Sequence, residues 1–127
     1  MVGIDNMIFG IGIDIVEISR LQAELDELAQ RILTETEAKQ YKESSSQQHF
    51  LAKRLAIKEA FSKAIGTGMR NPVTFKNITV THTPTGKPII LLSRELQSLV
   101  NKHDIVNIHV TVSDEQQYAV ASVILER

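Results

Sequence analysis

Residues 50–68 read FLAKRLAIKEAFSKAIGTG, and their apolar side chains go most of the way around a helix. The spacing predicts a helix from about Phe50 to Ile65, closed by Gly66, because glycine accepts the left-handed turn that ends many helices. On the wheel Ala52, Ala56, Glu59 and Lys63 share one face, Leu51 and Leu55 flank it, and Ile57, Phe61 and Ile65 occupy the far side. A surface helix needs only one apolar stripe. This one is packed from several directions, so it is expected to be the central element of the fold.

Upstream, residues 8–16 read as a strand with Ile11, Ile13 and Ile15 on one face and Gly10, Gly12 and Asp14 on the other. Two glycines beside a carboxylate leave a bare strip of backbone that something can approach closely. An ionised carboxylate in such a place costs several kcal/mol if unpaired, so Asp14 needs a partner. Backbone amides near the following helix are one candidate and a cation is another. Leu21, Leu25, Leu28, Ala29 and Ile32 then recur at helical spacing, with Ser19 as N-cap. Thr34-Glu35-Thr36-Glu37 has the form of a capping box that opens a second short helix toward Tyr41. The tract Ser44-Ser45-Ser46-Gln47-Gln48 reads as a loop.

Downstream, residues 78–83 and 88–92 flank Pro84-Thr85-Gly86-Lys87 as a hairpin, and a helix is expected over 93–102. Residues 106–112 and 118–125 form a second hairpin around 113–117. This order predicts an α+β fold, with helices covering one side of a mostly antiparallel sheet.

The 127 residues fit one domain, and 43% hydrophobic with 23% charged residues is ordinary globular composition. A net charge of -1 argues against nucleic-acid binding through bulk positive charge. The chain has no cysteine, which excludes disulfides, thiolate metal sites and cysteine nucleophiles. No apolar run approaches the ~20 residues of a membrane span. MVGIDNMIFG has neither the basic nor the long apolar region of a secretory signal. A soluble cytoplasmic protein is expected, with residues 1–6 as a short extension that adds little.

Glu59 and Lys63 project from a largely buried helix beside alanines too small to fill the neighbouring space. An i,i+4 ion pair on an exposed face contributes only ~0.2–0.5 kcal/mol, a weak reason to place both on so apolar a helix. A carboxylate and a lysine facing small residues suit magnesium and phosphate. Magnesium favours one or two carboxylates and completes its shell with water and phosphate oxygens. If Asp14 is the other carboxylate, its partner is the metal.

These stretches resemble holo-acyl-carrier-protein synthase, the small bacterial type of 4'-phosphopantetheinyl transferase. The resemblance runs from Phe9 to Glu126. It rests on G-x-D-x-x-x-x-x-R at Gly12, Asp14 and Arg20, and on K-E-A-x-x-K-A at Lys58 to Ala64. Gly86-Lys87-Pro88 and HVTVSDEQQYAVA, His109 to Ala121, match as well.

The resemblance implies a transfer reaction. The family moves the 4'-phosphopantetheine arm of coenzyme A onto a serine of apo acyl carrier protein, in fatty acid biosynthesis, and releases adenosine 3',5'-bisphosphate. Carried over to this sequence, Asp14 and Glu59 hold the magnesium ion. Glu59 helps deprotonate the carrier serine, directly or through a metal-bound water. Lys63 binds the pyrophosphate and stabilises the leaving group. Arg54, Lys58 and Gly66 sit where family members contact the coenzyme A phosphates or shape that pocket, with snorkelled structural roles as the alternative for Arg54 and Lys58. Gly86, Lys87 and Pro88 line the adenine end, although a hairpin turn explains the same residues. His109 corresponds to a histidine near the 3'-phosphate. The resemblance further implies a homotrimer with active sites between chains. One chain then offers Asp14, Glu59 and Lys63, and its neighbour offers Lys87 and His109.

One departure concerns the carrier. Many family members dock the acidic carrier on a basic helix after the first strand. Here that segment reads RLQAELDELAQR, with Arg20 and Arg31 at its ends and Glu24, Asp26 and Glu27 between. Electrostatic docking is therefore weaker or shifted. The basic loop residue expected before the long helix is also missing, and His49 is the nearest substitute. A transferase serving other carrier proteins, or a non-catalytic nucleotide-binding module of the same fold, are the competing readings.

Overall fold

The structure, a computed structural model, describes residues 7–127; the expected extension at 1–6 lies outside them. In chain order the elements are β1 (Ile8–Glu17), a 3-10 segment (Ile18–Glu24), α1 (Leu25–Ile32), α2 (Glu35–Glu43) and α3 (Gln47–Ile65). A short 3-10 turn (Phe75–Asn77), β2 (Ile78–His82), β3 (Pro88–Leu92), α4 (Arg94–Lys102), β4 (Asn107–Asp114) and β5 (Tyr118–Glu126) follow.

The strands form two antiparallel sheets rather than one. β1, β5 and β4 make a three-stranded sheet in that order, and β2 and β3 make a separate two-stranded one. β1 closes on the C-terminal strand, with Gly12 opposite Val123 and Asp14 opposite Ala121. α3 packs on β1 and β5, as the central helix expected from its pattern. Ala52, Ala56, Ile57, Ala60 and Phe61 are fully buried in a core that also takes Ala119, Ala121, Val123 and Leu125 from β5.

The bare strip on β1 is filled by the chain itself. A Cβ added at Gly12 would overlap the carbonyl oxygen of Ala60, and one added at Gly10 would overlap that of Ala64. Glycine on the strand and alanine on the helix let the two backbones touch, which brings Asp14 within reach of α3. Both clashing atoms are backbone, so no side chain can turn away. Gly12→Ala is therefore expected to cost at least ~3 kcal/mol, read as a lowered midpoint in chemical denaturation.

Three local expectations are corrected. Ser19 is not a helix N-cap: the residues after β1 wind as a 3-10 segment, its cap position is Glu17, and Ser19 Oγ donates to Glu17 Oε2 at 3.4 Å instead. Ile18 and Leu21 are both buried, and the threefold winding puts residues three apart on one side. The polar tract at 44–48 is only partly a loop, since α3 begins at Gln47, whose side-chain amide donates to Tyr41 O at 3.1 Å. Ser93 lies outside α4 as its N-cap, its hydroxyl accepting from Leu96 N.

The other face of the three-stranded sheet is open. Ile11, Ile13 and Ile15 are 60%, 62% and 64% exposed, so the apolar half of the β1 alternation faces away from the core.

Candidate active site

Strand β1 and helix α3 together build the site. Asp14 lies on the α3 side of β1, and Lys63 reaches it from the last turn of the helix. Lys63 Nζ donates to Asp14 Oδ1 and to the Ile13 carbonyl oxygen, each at 3.0 Å. The partner of Asp14 is thus a side-chain cation rather than backbone amides. Lys63 does not pair with Glu59: no ion pair joins these two among the described residues.

Glu59 is half-buried one helical turn before Lys63. Burial raises its carboxyl above the usual range, the Asp14 charge raises it further, and Lys63 opposes both. Asp14 and Glu59 line one cleft of about 300 Å³ together with Glu17, Arg20, Leu21 and Leu55. Asp14 and Glu59 bring two carboxyl groups to one cleft, and the Asp14 charge that opposes ionisation of Glu59 is what a bound cation would neutralise. Among the described residues no cluster of three or more His, Asp or Glu side chains forms a metal cage. The chain thus offers a divalent ion two carboxylates and leaves the rest of its shell to water or substrate oxygens, an arrangement that suits magnesium.

The Glu59 shift has a definite sign in pH. Its folded-state carboxyl titrates above the unfolded value, so the protonated form favours the fold. That contribution is fully present below the unfolded value, ~4.3, and is lost as pH rises through the folded one. A 13C titration of the Glu59 carboxyl, without metal, is expected to show a midpoint above ~4.3, moving down in Asp14→Asn.

Two residues predicted to contact coenzyme A are held by partners within the chain. Lys58 is 0% exposed, and its ammonium donates to Glu37 Oε1 at 2.6 Å, Ile32 O at 2.7 Å and Phe75 O at 3.1 Å. All three protons are used, so none is left for a phosphate. Burial lowers Lys58 to about 8, with Glu37 opposing, and it stays a cation at neutral pH. Arg54, 4% exposed, donates from Nη2 to Gln40 Oε1 at 3.3 Å and stacks its guanidinium 4.3 Å from the Phe50 ring centroid. Its Nε lies 3.5 Å from Glu37 Oε2 and is buried without a hydrogen bond. Both side chains are engaged inside the chain, where α2 meets α3. Their hub, Glu37, is buried and also accepts from Thr34 N at 2.9 Å and Val80 N at 2.8 Å. The capping-box pattern marked Glu37 but gave no sign of its long-range partners.

Gly66 ends α3 in the left-handed region at φ 92°, where its N–H and that of Gly68 both donate to Ser62 O. Lys87, Pro88 and His109 do meet, in a cleft of about 420 Å³ between β3 and β4 that Thr83, Ile89, Ile108 and Val110 complete. Gly86 holds the adjoining turn at φ 92°, its N–H donating to Thr83 O at 2.9 Å. His109 Nε2 lies 2.9 Å from Glu126 Oε1, and this contact holds the Glu126 carboxyl below its usual range. Within one chain this cleft shares no lining residue with the Asp14–Glu59 cleft. His49 Nδ1 sits 2.7 Å from Asp114 Oδ2, which ties up the nearest substitute for the missing loop base. A larger cavity, about 640 Å³, runs between α1 and α2 past the Tyr41–Asp26 hydrogen bond. It contains none of the predicted site residues.

The family model described as 4'-phosphopantetheinyl transferase superfamily matches residues 10–123, a span that contains Asp14, Glu59, Lys63 and His109. The chain belongs to this superfamily. Relatives named holo-[acyl-carrier-protein] synthase include one from Vibrio cholerae, 47% identical over 95% of this chain and 99% of its own length. Another, from Photorhabdus laumondii, is 44% identical over 94% and 98%. Among solved structures, holo-[acyl-carrier-protein] synthase from Neisseria meningitidis superposes with a TM-score of 0.90 at 37% identity, covering 95% of this chain and 100% of that one. The Bacillus anthracis synthase in complex with CoA (3',5'-ADP) superposes with a TM-score of 0.81 at 42% identity, covering 94% and 97%.

Proposed function

We propose that this chain transfers the 4'-phosphopantetheine arm of coenzyme A to a serine of apo acyl carrier protein, releasing adenosine 3',5'-bisphosphate. The observation that carries the reading is the meeting of Asp14, Glu59 and Lys63 where β1 crosses α3. The serine oxygen attacks the pyrophosphate phosphorus that bears the pantetheine arm. A serine O–P bond forms, and the bond from that phosphorus to the bridging oxygen breaks. Glu59 takes the hydroxyl proton, and its raised carboxyl is a better base at neutral pH than an ordinary glutamate. Lys63, on a flexible and half-exposed stem, faces the charge that builds on the departing phosphate. Asp14 and Glu59 are the residues that would hold magnesium, which when bound neutralises pyrophosphate charge. Arg20 lines the same cleft with a largely exposed side chain that pairs with Glu17 at 3.0 Å.

The Lys87–His109 cleft is assigned to the adenosine end. Because it is separate from the Asp14 cleft within one chain, a neighbouring copy supplies it in a homotrimer. The exposed Ile11, Ile13 and Ile15 support that assembly, since so apolar a sheet face favours burial against another copy. Sedimentation equilibrium should give three times the chain mass of 14.2 kDa; a monomer at assay concentration rules the shared site out. Acidic Glu24, Asp26 and Glu27 on the segment after β1 favour a carrier with less negative charge at its docking helix. The test of the function is product release: adenosine 3',5'-bisphosphate should appear with apo carrier, coenzyme A and magnesium, and vanish on chelation. Undiminished release after exhaustive chelation contradicts the metal role.

A further inference from the structure

The two lysines of the K-E-A-x-x-K-A motif lie five residues apart on α3 and are held in opposite ways. Lys58 is sealed in the core with its three protons bound to three fixed acceptors. Lys63 is 53% exposed at its side chain and holds Asp14, whose own side chain is only 17% exposed. Its ammonium thus neutralises the carboxylate that, on the function proposed above, serves a divalent ion. A cation already stands at Asp14. An ion pair with one partner this exposed is weak, because water competes for the ammonium and the long stem loses rotamer freedom on pairing. Such a contact can exchange. The Ile13 carbonyl oxygen adds only one further acceptor, and that hydrogen bond too is exposed.

We infer that Lys63 is a place-holding counter-ion: in the free protein it occupies Asp14, and it gives up that carboxylate when a divalent ion arrives. Resting on the metal reading of Asp14 and Glu59, this gives Lys63 a second, earlier task than facing the leaving phosphate. Asp14 is then held aimed at α3 without metal by its contact with Lys63, so the site is pre-organised rather than assembled on binding. The released ammonium moves toward the anionic pyrophosphate that arrives with coenzyme A. The same charge therefore opposes metal binding before coenzyme A is present and supports it afterwards.

The test is titration of the full-length protein with Mn2+, following the free-ion signal by electron paramagnetic resonance at pH 8 and low salt. Without coenzyme A, Lys63→Met and Lys63→Gln are both expected to bind Mn2+ about twofold to fivefold more tightly than the native protein, as an exposed pair of this kind gives up its competition. With saturating coenzyme A the order should reverse, with both variants binding Mn2+ more weakly. Lys63 is half-exposed, so neither change endangers folding. Unchanged or weaker Mn2+ binding by both variants in the absence of coenzyme A overturns the inference. Asp14→Asn and Glu59→Gln serve as the separate control on the metal reading, and each should weaken binding at least tenfold. If they do not, the metal site itself is wrong, and the place-holder falls with it.

Discussion

Glu59→Gln lowers kcat/KM for carrier modification by about 10²- to 10⁴-fold, the range a positioned general base contributes. The substitution keeps the shape and the burial and removes the charge and the basicity. It also removes one of the two carboxylates offered to the metal, so raising magnesium is expected to recover little. Lys63→Met falls by about 10²-fold or more, like the loss of one preorganised charge-stabilising donor. Its stability changes little, because the pair with Asp14 is worth ~0–1 kcal/mol at this exposure. A steady-state assay with a parallel thermal melt checks both. Near-native rates in Glu59→Gln would leave the half-buried carboxylate without a catalytic role.

The second large effect is on stability and involves no chemistry. Lys58→Met leaves Glu37 with two backbone donors and Arg54 Nε at 3.5 Å but without its ammonium partner. Breaking one side of a buried pair costs about 3–5 kcal/mol, and the remaining Arg54 places this case at the low end. A cost of about 3 kcal/mol lowers Tm by about 10 °C in a chain of this size. Replacing both partners, as in Lys58→Met with Glu37→Leu, recovers much of it, because no uncompensated charge stays buried. The KM for coenzyme A in the folded single variant should be unchanged. An unaltered Tm with a raised KM would instead return Lys58 to the coenzyme site.

This contrast shows what the residues alone could reveal. The face shared by Glu59 and Lys63 and the alternation of Asp14 with Ile13 and Ile15 were legible, because helix and strand periods fix which side chains are neighbours. So were the elements: α3, both C-terminal strands and the capped start of α2 lie within a few residues of their expected bounds. Periodicity along one element says nothing about what a side chain meets across the fold, however. Lys58 falls away from Glu59 on the wheel and could equally have snorkelled to solvent or to a phosphate. Only the placement of α2 and β2 shows that Glu37, 21 residues away in sequence, receives it. Gly10 and Gly12 spell a gap for some approaching group. The group is the backbone of α3, which needs the register of two distant elements to be known. The division into two sheets was missed for the same reason, since β1 pairs with β5 across almost the whole chain.

The most direct measurement of the central claim is the intact mass of apo acyl carrier protein after incubation with this protein, coenzyme A and magnesium. The account predicts a single gain equal to one phosphopantetheine arm, located on one serine by peptide mapping. It also predicts no gain with Asp14→Ala or Glu59→Ala at matched concentration, both variants remaining folded. An unmodified carrier with the native protein, or full modification by the Asp14→Ala protein, would contradict the assignment of this cleft as the site of transfer.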